Sequence, residues 1–174
     1  MTEQPEQPLQ QPEPVDPDAF RQVMGRLVTG VTVVTTKAGG LDHAMTANAV
    51  MSVSLEPLLV VLSVEKEARF HDAVLESQVW GISILPESAR ATATWLATRG
   101  RPLHGQLDRI PHHHGPATGV ALLDDALGTL ECHTFDTVGA GDHSLLIGDV
   151  RSLSINERPG DALVYYRGAF GVQR

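Results

Sequence analysis

Two periods of apolar and polar positions run along the chain. Phe20, Val23, Met24, Leu27 and Val28 recur at helical spacing behind Asp16-Pro17-Asp18, which predicts a short amphipathic helix ended by Gly30. β-Branched residues then take over at positions 31–36 and predict a strand, with Gly39-Gly40 as its turn. Residues 44–53 predict a second strand that runs into a turn at Glu56-Pro57. Residues 58–64 form an unbroken apolar run of strand length, which predicts burial on both faces.

Further along, residues 71–77 predict a short helix and residues 79–85 a strand. Pro86 stands where a helix to about Thr98 would open, and a first-turn proline costs no hydrogen bond. Residues 99–119 hold Gly, Pro and His without a period and predict a long irregular connection. Residues 127–138 and 143–155 read as long strands around Gly139-Ala140-Gly141-Asp142, and residues 162–167 close the set. Six or seven strands joined mostly by turns, with three short helices, predict a mainly β fold. An antiparallel sheet closing into a barrel fits this order better than a doubly wound parallel sheet.

Composition narrows the picture. A length of 174 residues suits one ordinary domain. Residues 1–17 hold five of the eleven prolines and four glutamines, so they are expected to form a disordered tail ahead of a domain over 18–174. The net charge of −8 argues against a nucleic-acid partner, which needs a basic face to release counterions. The single Cys132 permits no intrachain disulfide and suits a reducing, cytoplasmic compartment. No apolar run approaches the roughly 18 residues of a membrane span, and the acidic, proline-rich start does not read as a secretory signal.

Neither a phosphate-loop fingerprint nor a dinucleotide-binding glycine motif is present, and no serine-hydrolase elbow either. The run His112-His113-His114 suggests metal at first. Consecutive residues point different ways, however, and no evident fourth ligand accompanies them, so the run is expected to be a solvated loop with no metal. In Thr46-Ala47-Asn48-Ala49-Val50-Met51-Ser52-Val53-Ser54, small and hydroxyl residues replace bulky ones where a strand leaves the core. Such a segment lets a flat ring approach the backbone, with Asn48 reading its polar edge. It is also compatible with an ordinary strand end and Ser/Thr turn chemistry. Lys66 and Arg69 precede a short helix, as a phosphate clamp would, or as solvated charges do. His143 follows Gly141-Asp142 at a turn, either at a ligand face or simply at a strand edge.

Taken in order, these segments resemble the flavin reductase-like family. The resemblance is carried by Phe20-Arg21 with residues 29–36, 45–54 with Glu56-Pro57, 58–71, Leu122-Leu123 with Leu130-Glu131-Cys132, 141–150 and Tyr165-Tyr166-Arg167-Gly168, and it covers residues 20–171. It implies a split β-barrel, antiparallel and Greek-key-like, that binds flavin mononucleotide (FMN), with FAD or riboflavin as other possible substrates. It implies that Thr46, Ala47, Asn48, Ser52, Val53 and Ser54 line the isoalloxazine and ribityl chain. Ser63, Lys66, Ala68 and Arg69 would wrap the phosphate end, where Glu67 and Arg69 depart from the small or hydroxyl residues usual in the family. His143 would position the nicotinamide, and Tyr166 and Arg167 would lie near the site or a dimer contact. The activity implied is reduction of FMN by hydride transfer from NADH or NADPH to flavin N5. A homodimer that feeds a separate flavin-dependent oxygenase is implied as well. Three other readings remain: a non-catalytic flavin-binding protein, another flavin or deazaflavin oxidoreductase on the same barrel, and a heme- or metal-binding module using the histidine run.

Overall fold

The computed structural model describes residues 14–157 and 160–173. Most of the expected disordered tail, residues 1–13, lies outside the described residues.

The expected first helix forms as α1 (Pro17–Met24), with Pro17 at its first position and the Asp16 carboxylate accepting from the Asp18 and Ala19 amides. It stops at Gly25, whose amide donates to the Arg21 carbonyl, and not at Gly30. None of its residues is buried. Gly30 belongs instead to a short strand, β1 (Thr29–Gly30).

Next come β2 (Thr32–Ala38) and β3 (Leu41–Ala47), joined through Gly39 and Gly40, both at positive φ. The strand expected over 44–53 is in fact two: β3 ends at Ala47 and β4 (Val50–Leu55) begins after Asn48-Ala49. β5 (Leu58–Glu65) alternates, with Val60, Leu62 and Val64 buried and Leu59, Val61 and Ser63 half-buried. The expected burial of both faces fails: one face packs into the barrel interior, and the side chains on the other are only partly covered.

α2 (Arg69–Ser77) and β6 (Val79–Ile84) follow as expected. Pro86 precedes a 3-10 turn (Glu87–Ala89) that leads into α3 (Arg90–Ala97), so the helix anticipated from Pro86 is shorter and tighter at its start. The stretch 99–119, expected to be wholly irregular, contains β7 (His112–His114), which pairs with β8 (Ala121–Leu123). Long strands β9 (Gly128–Ala140) and β10 (His143–Ile155) form the predicted hairpin, turning at Gly141 with φ 63°. β11 (Ala162–Tyr166) is followed by β12 (Ala169–Gln173), an extra strand hidden from periodicity by the short turn Arg167-Gly168.

Seven of these twelve strands form one antiparallel sheet in the order β3-β2-β6-β9-β10-β5-β4. Its outermost strands, β3 and β4, are successive in sequence and separated only by Asn48 and Ala49. So short a link forces the sheet to curl until its edges meet at that corner, while the far ends of β3 and β4 stay unpaired. This is a split barrel. The Ser63 amide donates to the Ala49 carbonyl (3.0 Å) and holds the corner.

The barrel interior is apolar: Val34, Ala47, Leu62, Trp80, Ile82, Cys132 and Leu146 meet there, with Phe70 and Val74 of α2 packed against them. Gly148 faces Trp80, and a Cβ at that position would overlap the indole. A second cluster lies on the outer side of β2 and β3, where Val33 and Ala44 pack under Ala93 and Leu96 of α3, Leu107, Leu123 of β8 and Leu163 of β11. β2 is thus buried on both faces, which explains its run of β-branched residues. No helix among the described residues is long and apolar enough to cross a membrane.

Candidate functional site

A cavity of about 550 Å³ opens between β3, the end of β5, the start of α2 and the segment after α3. Its walls include Thr46 on β3, Ala68 and Arg69 at the head of α2, and Arg99 and Arg101 beyond α3. A smaller hollow of about 200 Å³ lies across Thr46 and Ala97, which border both, and it adds Val31, Asn48, Tyr165 and Phe170. One hollow is charged and the other apolar and aromatic, and together they offer a flat ligand with an anionic end two matched environments.

The charged end is built from backbone as well as side chains. Ala68 caps α2 without any side-chain acceptor; the His71 amide donates to the Ala68 carbonyl (2.8 Å), and the Arg69 and Phe70 amides are left for an anion. Arg69 donates to the Arg101 carbonyl (2.7 Å), and Arg99 is held by the Glu65 carboxylate (2.8 Å). Arg101 reaches over β3 to the Ala44 carbonyl and back to the Thr98 carbonyl (2.9 Å), yet its Nε is buried with no partner. Burial first, and the like charge of Arg69 second, hold the Arg101 guanidinium below its ordinary range. Two arginines this close, one with an orphan N–H, gain from a shared anion that can take a charge-assisted bond. Glu67 also borders the cavity, and Arg69 and Arg101 outweigh it.

The expected site residues divide into those that converge and those that do not. Thr46, Ala68 and Arg69 meet at the large cavity, and Asn48 borders the apolar hollow, its amide donating to Thr29 Oγ1 (3.2 Å). The Thr46 hydroxyl is already committed to the Ala93 carbonyl (2.7 Å), tying α3 to β3. Ala47 points into the barrel interior and accepts through its carbonyl from Thr32 Oγ1 (2.8 Å). Ser63 sits at the corner beside Ala49. Ser52 and Val53 are exposed along the edge strand, and Ser54 Oγ accepts from the Glu56 amide (3.1 Å). These three do not border the cavity of Thr46 and Arg69.

Lys66 turns away toward the β9–β10 turn, its Nζ donating to the Gly141 carbonyl (2.6 Å). His143 lies opposite Glu65 across the β10–β5 ladder, its Nδ1 within 2.7 Å of Asp142 Oδ1. That hydrogen bond, and then the imidazole charge, hold the Asp142 carboxyl below the usual carboxylate range. Tyr166 and Arg167 stack on each other (5.9 Å from guanidinium carbon to ring centre), and Arg167 borders a separate cleft with Arg21 and Arg26 of the α1 region. The neighbouring Tyr165 faces the apolar hollow instead. A one-residue step along a strand reverses the face, so Tyr165 and Tyr166 point to opposite sides. Arg99 and Arg101 escaped notice because they lie in the stretch without a period. Two cations flanking Gly100 were the available signal.

Cys132 is not a reactive thiol. Burial, with Asp149 and Glu131 adding to it, pushes its pKa up to about 12.

Comparison with known proteins gives the family. The family described as flavin reductase like domain matches residues 24–172, and the chain belongs to it. The NADH:riboflavin 5'-phosphate oxidoreductase of Streptomyces pristinaespiralis is 38% identical over 160 residues, covering 90% of this chain and 88% of that protein. The reductase component of 4-hydroxyphenylacetate 3-monooxygenase from Thermus thermophilus is 33% identical, over 88% of this chain and 94% of that one. Among solved structures, BorF, the flavin reductase component of a bacterial two-component tryptophan halogenase, superposes with a TM-score of 0.85. It is 39% identical and covers 90% of this chain and 98% of its own.

Proposed function

We propose that this chain is an NADH-dependent flavin reductase that reduces FMN and releases it to a separate flavin-dependent oxygenase. The observation that carries the FMN end is the buried, unpartnered Nε of Arg101 beside Arg69 and the uncapped start of α2. A phosphate monoester satisfies all three at once. When bound, the flavin supplies the redox chemistry, taking a hydride from the nicotinamide and carrying the electron pair onward.

The residues of the chain bind and orient. Arg101, Arg69 and the first amides of α2 hold the phosphate. Thr46 and Ala97, small and shared by both hollows, leave room for the ribityl chain to pass. Val31, Tyr165 and Phe170 offer apolar and aromatic surface to the ring, and Asn48 a polar group at its rim. His143 stays assigned to nicotinamide positioning, from an edge where its ring is 42% exposed. Ser52, Val53 and Ser54 contribute on the open side, where β4 has no sheet neighbour but β5.

The same reading takes the chain as a homodimer in the cytoplasm. α1 leaves Phe20 and Val23 exposed, and β4 leaves Met51, Val53 and Leu55 exposed along a sheet edge. Apolar surface of this kind calls for a cover.

Anaerobic mixing of the protein and FMN with NADH, then with NADPH, tests the activity through flavin absorbance. Bleaching with NADH is expected. A flavin that neither donor bleaches removes the reductase reading and leaves a binding protein. Light scattering on the eluted protein should give twice the chain mass, and a monomer would remove the dimer.

A further inference from the structure

We propose that Asp42, His112 and His114 form a binding site for a divalent transition-metal ion of the zinc class. The sequence alone argued against one, since consecutive histidines diverge. In the structure they form strand β7, so the outer two share a side and only His113 turns away. Asp42 of β3 supplies the carboxylate that was missing. The three donor atoms lie within 4.8 Å of one another.

The geometry is close to what zinc requires. His114 Nε2 and Asp42 Oδ2 stand 3.1 Å apart. Two ligands on a tetrahedral zinc with bonds near 2.0–2.1 Å are separated by about 3.3 Å, so a shift of a few tenths of an ångström would admit the ion. His112 Nδ1 lies 2.7 Å from the Ile110 carbonyl. A carbonyl only accepts, so Nδ1 carries the proton and Nε2 keeps its lone pair for a metal. This is the outer-shell arrangement that orients ligating histidines. Asp42 Oδ1 is buried and has no hydrogen-bond partner. An orphan carboxylate oxygen is costly, and a cation would satisfy it. Two imidazoles and one carboxylate leave a fourth position for water. That nitrogen-rich set suits zinc, cobalt or nickel better than calcium or magnesium, which prefer oxygen alone.

The position gives the ion a task. His112 ends the segment that begins after α3 and carries Arg99 and Arg101 into the large cavity, and Asp42 precedes His43, which borders the same cavity. An ion there fastens that wall to the end of the β2–β3 hairpin. From the far side, Glu131 fixes the loop after β7, accepting from the Ala117 and Thr118 amides (3.1 and 2.7 Å). The clamp would join an already anchored hairpin to the sheet.

The test uses the full chain without an affinity tag, stripped with a chelator and titrated with zinc chloride in a calorimeter. One zinc per chain and a higher thermal midpoint are expected. Cobalt chloride should give the intense visible bands of a four-coordinate ion. His112→Gln with His114→Gln should lower zinc affinity at least about 100-fold and abolish the midpoint rise. Asp42→Asn should lower affinity about tenfold or more, and it provides a second reading should the double variant fold poorly. His113→Gln, whose ring pairs with Asp124 (2.7 Å), should bind zinc like the parent. Substoichiometric zinc, an unmoved midpoint, or equal losses in His113→Gln would overturn the site. None of these readouts depends on flavin binding.

Discussion

The barrel interior and the layer outside β2 and β3 are both dry, and they differ in the polar groups they leave unpaired. Inside, Trp80 is wholly buried and its indole N–H has no partner. Outside, the orphans are charged: Arg101 Nε beside the large cavity and Asp42 Oδ1 beside two histidines. A neutral orphan among apolar side chains is a tolerated cost of packing. A charged orphan costs more, and it gains most from a counter-charge. The interior should therefore govern stability, and the outer layer binding.

The sharpest separation comes from Trp80. Trp80→Ala opens the centre of the barrel and should cost about 3–5 kcal/mol of unfolding free energy in denaturant titration. Trp80→Phe removes the orphan N–H and keeps most of the volume, so it should cost far less than the alanine change. If the two variants are equally damaging, the indole N–H has an unseen partner and the contrast between the regions weakens.

Arg101→Lys probes the outer layer. It keeps a charge and loses the orphan Nε. FMN affinity should fall about tenfold, the loss of roughly one charge-assisted hydrogen bond. Riboflavin, which lacks the phosphate, should bind the variant and the parent alike. A parallel loss of both ligands would place Arg101 in the scaffold and not at the phosphate.

Asn48→Leu addresses the ring end. The side chain is exposed, and its one described bond is to Thr29, so thermal unfolding of the flavin-free protein should hardly move. Flavin affinity should drop several-fold, worth about 0.5–1.5 kcal/mol, for FMN and riboflavin equally. Unchanged affinity would move the ring away from the corner between β3 and β4.

These contrasts follow what the residue pattern could and could not convey. The strands were legible because alternation and β-branching are local, and so was the β9–β10 hairpin with its glycine turn. The division of residues 44–53 was not, because the break at Asn48-Ala49 is imposed by the sheet curling on itself. The run of small residues at the β3–β4 corner, proposed to face the ring, was legible. The charged end was only half visible: Arg69 was singled out, but its partner Arg101 is 32 residues away in a segment without a period. The strand character of His112–His114 was hidden too, since three residues carry no measurable period. Its partner Asp42 is 72 residues from His114.

The smallest expected effect lies at the β9–β10 turn, far from both buried clusters. Asp142 is fully exposed, and its carboxyl is held low by the His143 hydrogen bond and charge. A depressed carboxyl contributes stability above its unfolded value, near 3.9, and loses it as pH falls through the lower folded value. Asp142→Asn should therefore leave unfolding at neutral pH almost unmoved, because solvent screens an exposed pair. Its effect should be confined to the acid limb, where the parent loses stability more steeply than the variant. That measurement also bears on His143. If Asp142→Asn slows NADH oxidation without touching neutral stability, the carboxylate orients the imidazole for nicotinamide. If the rate is unchanged, the pair belongs to the turn alone and the positioning role passes to other groups.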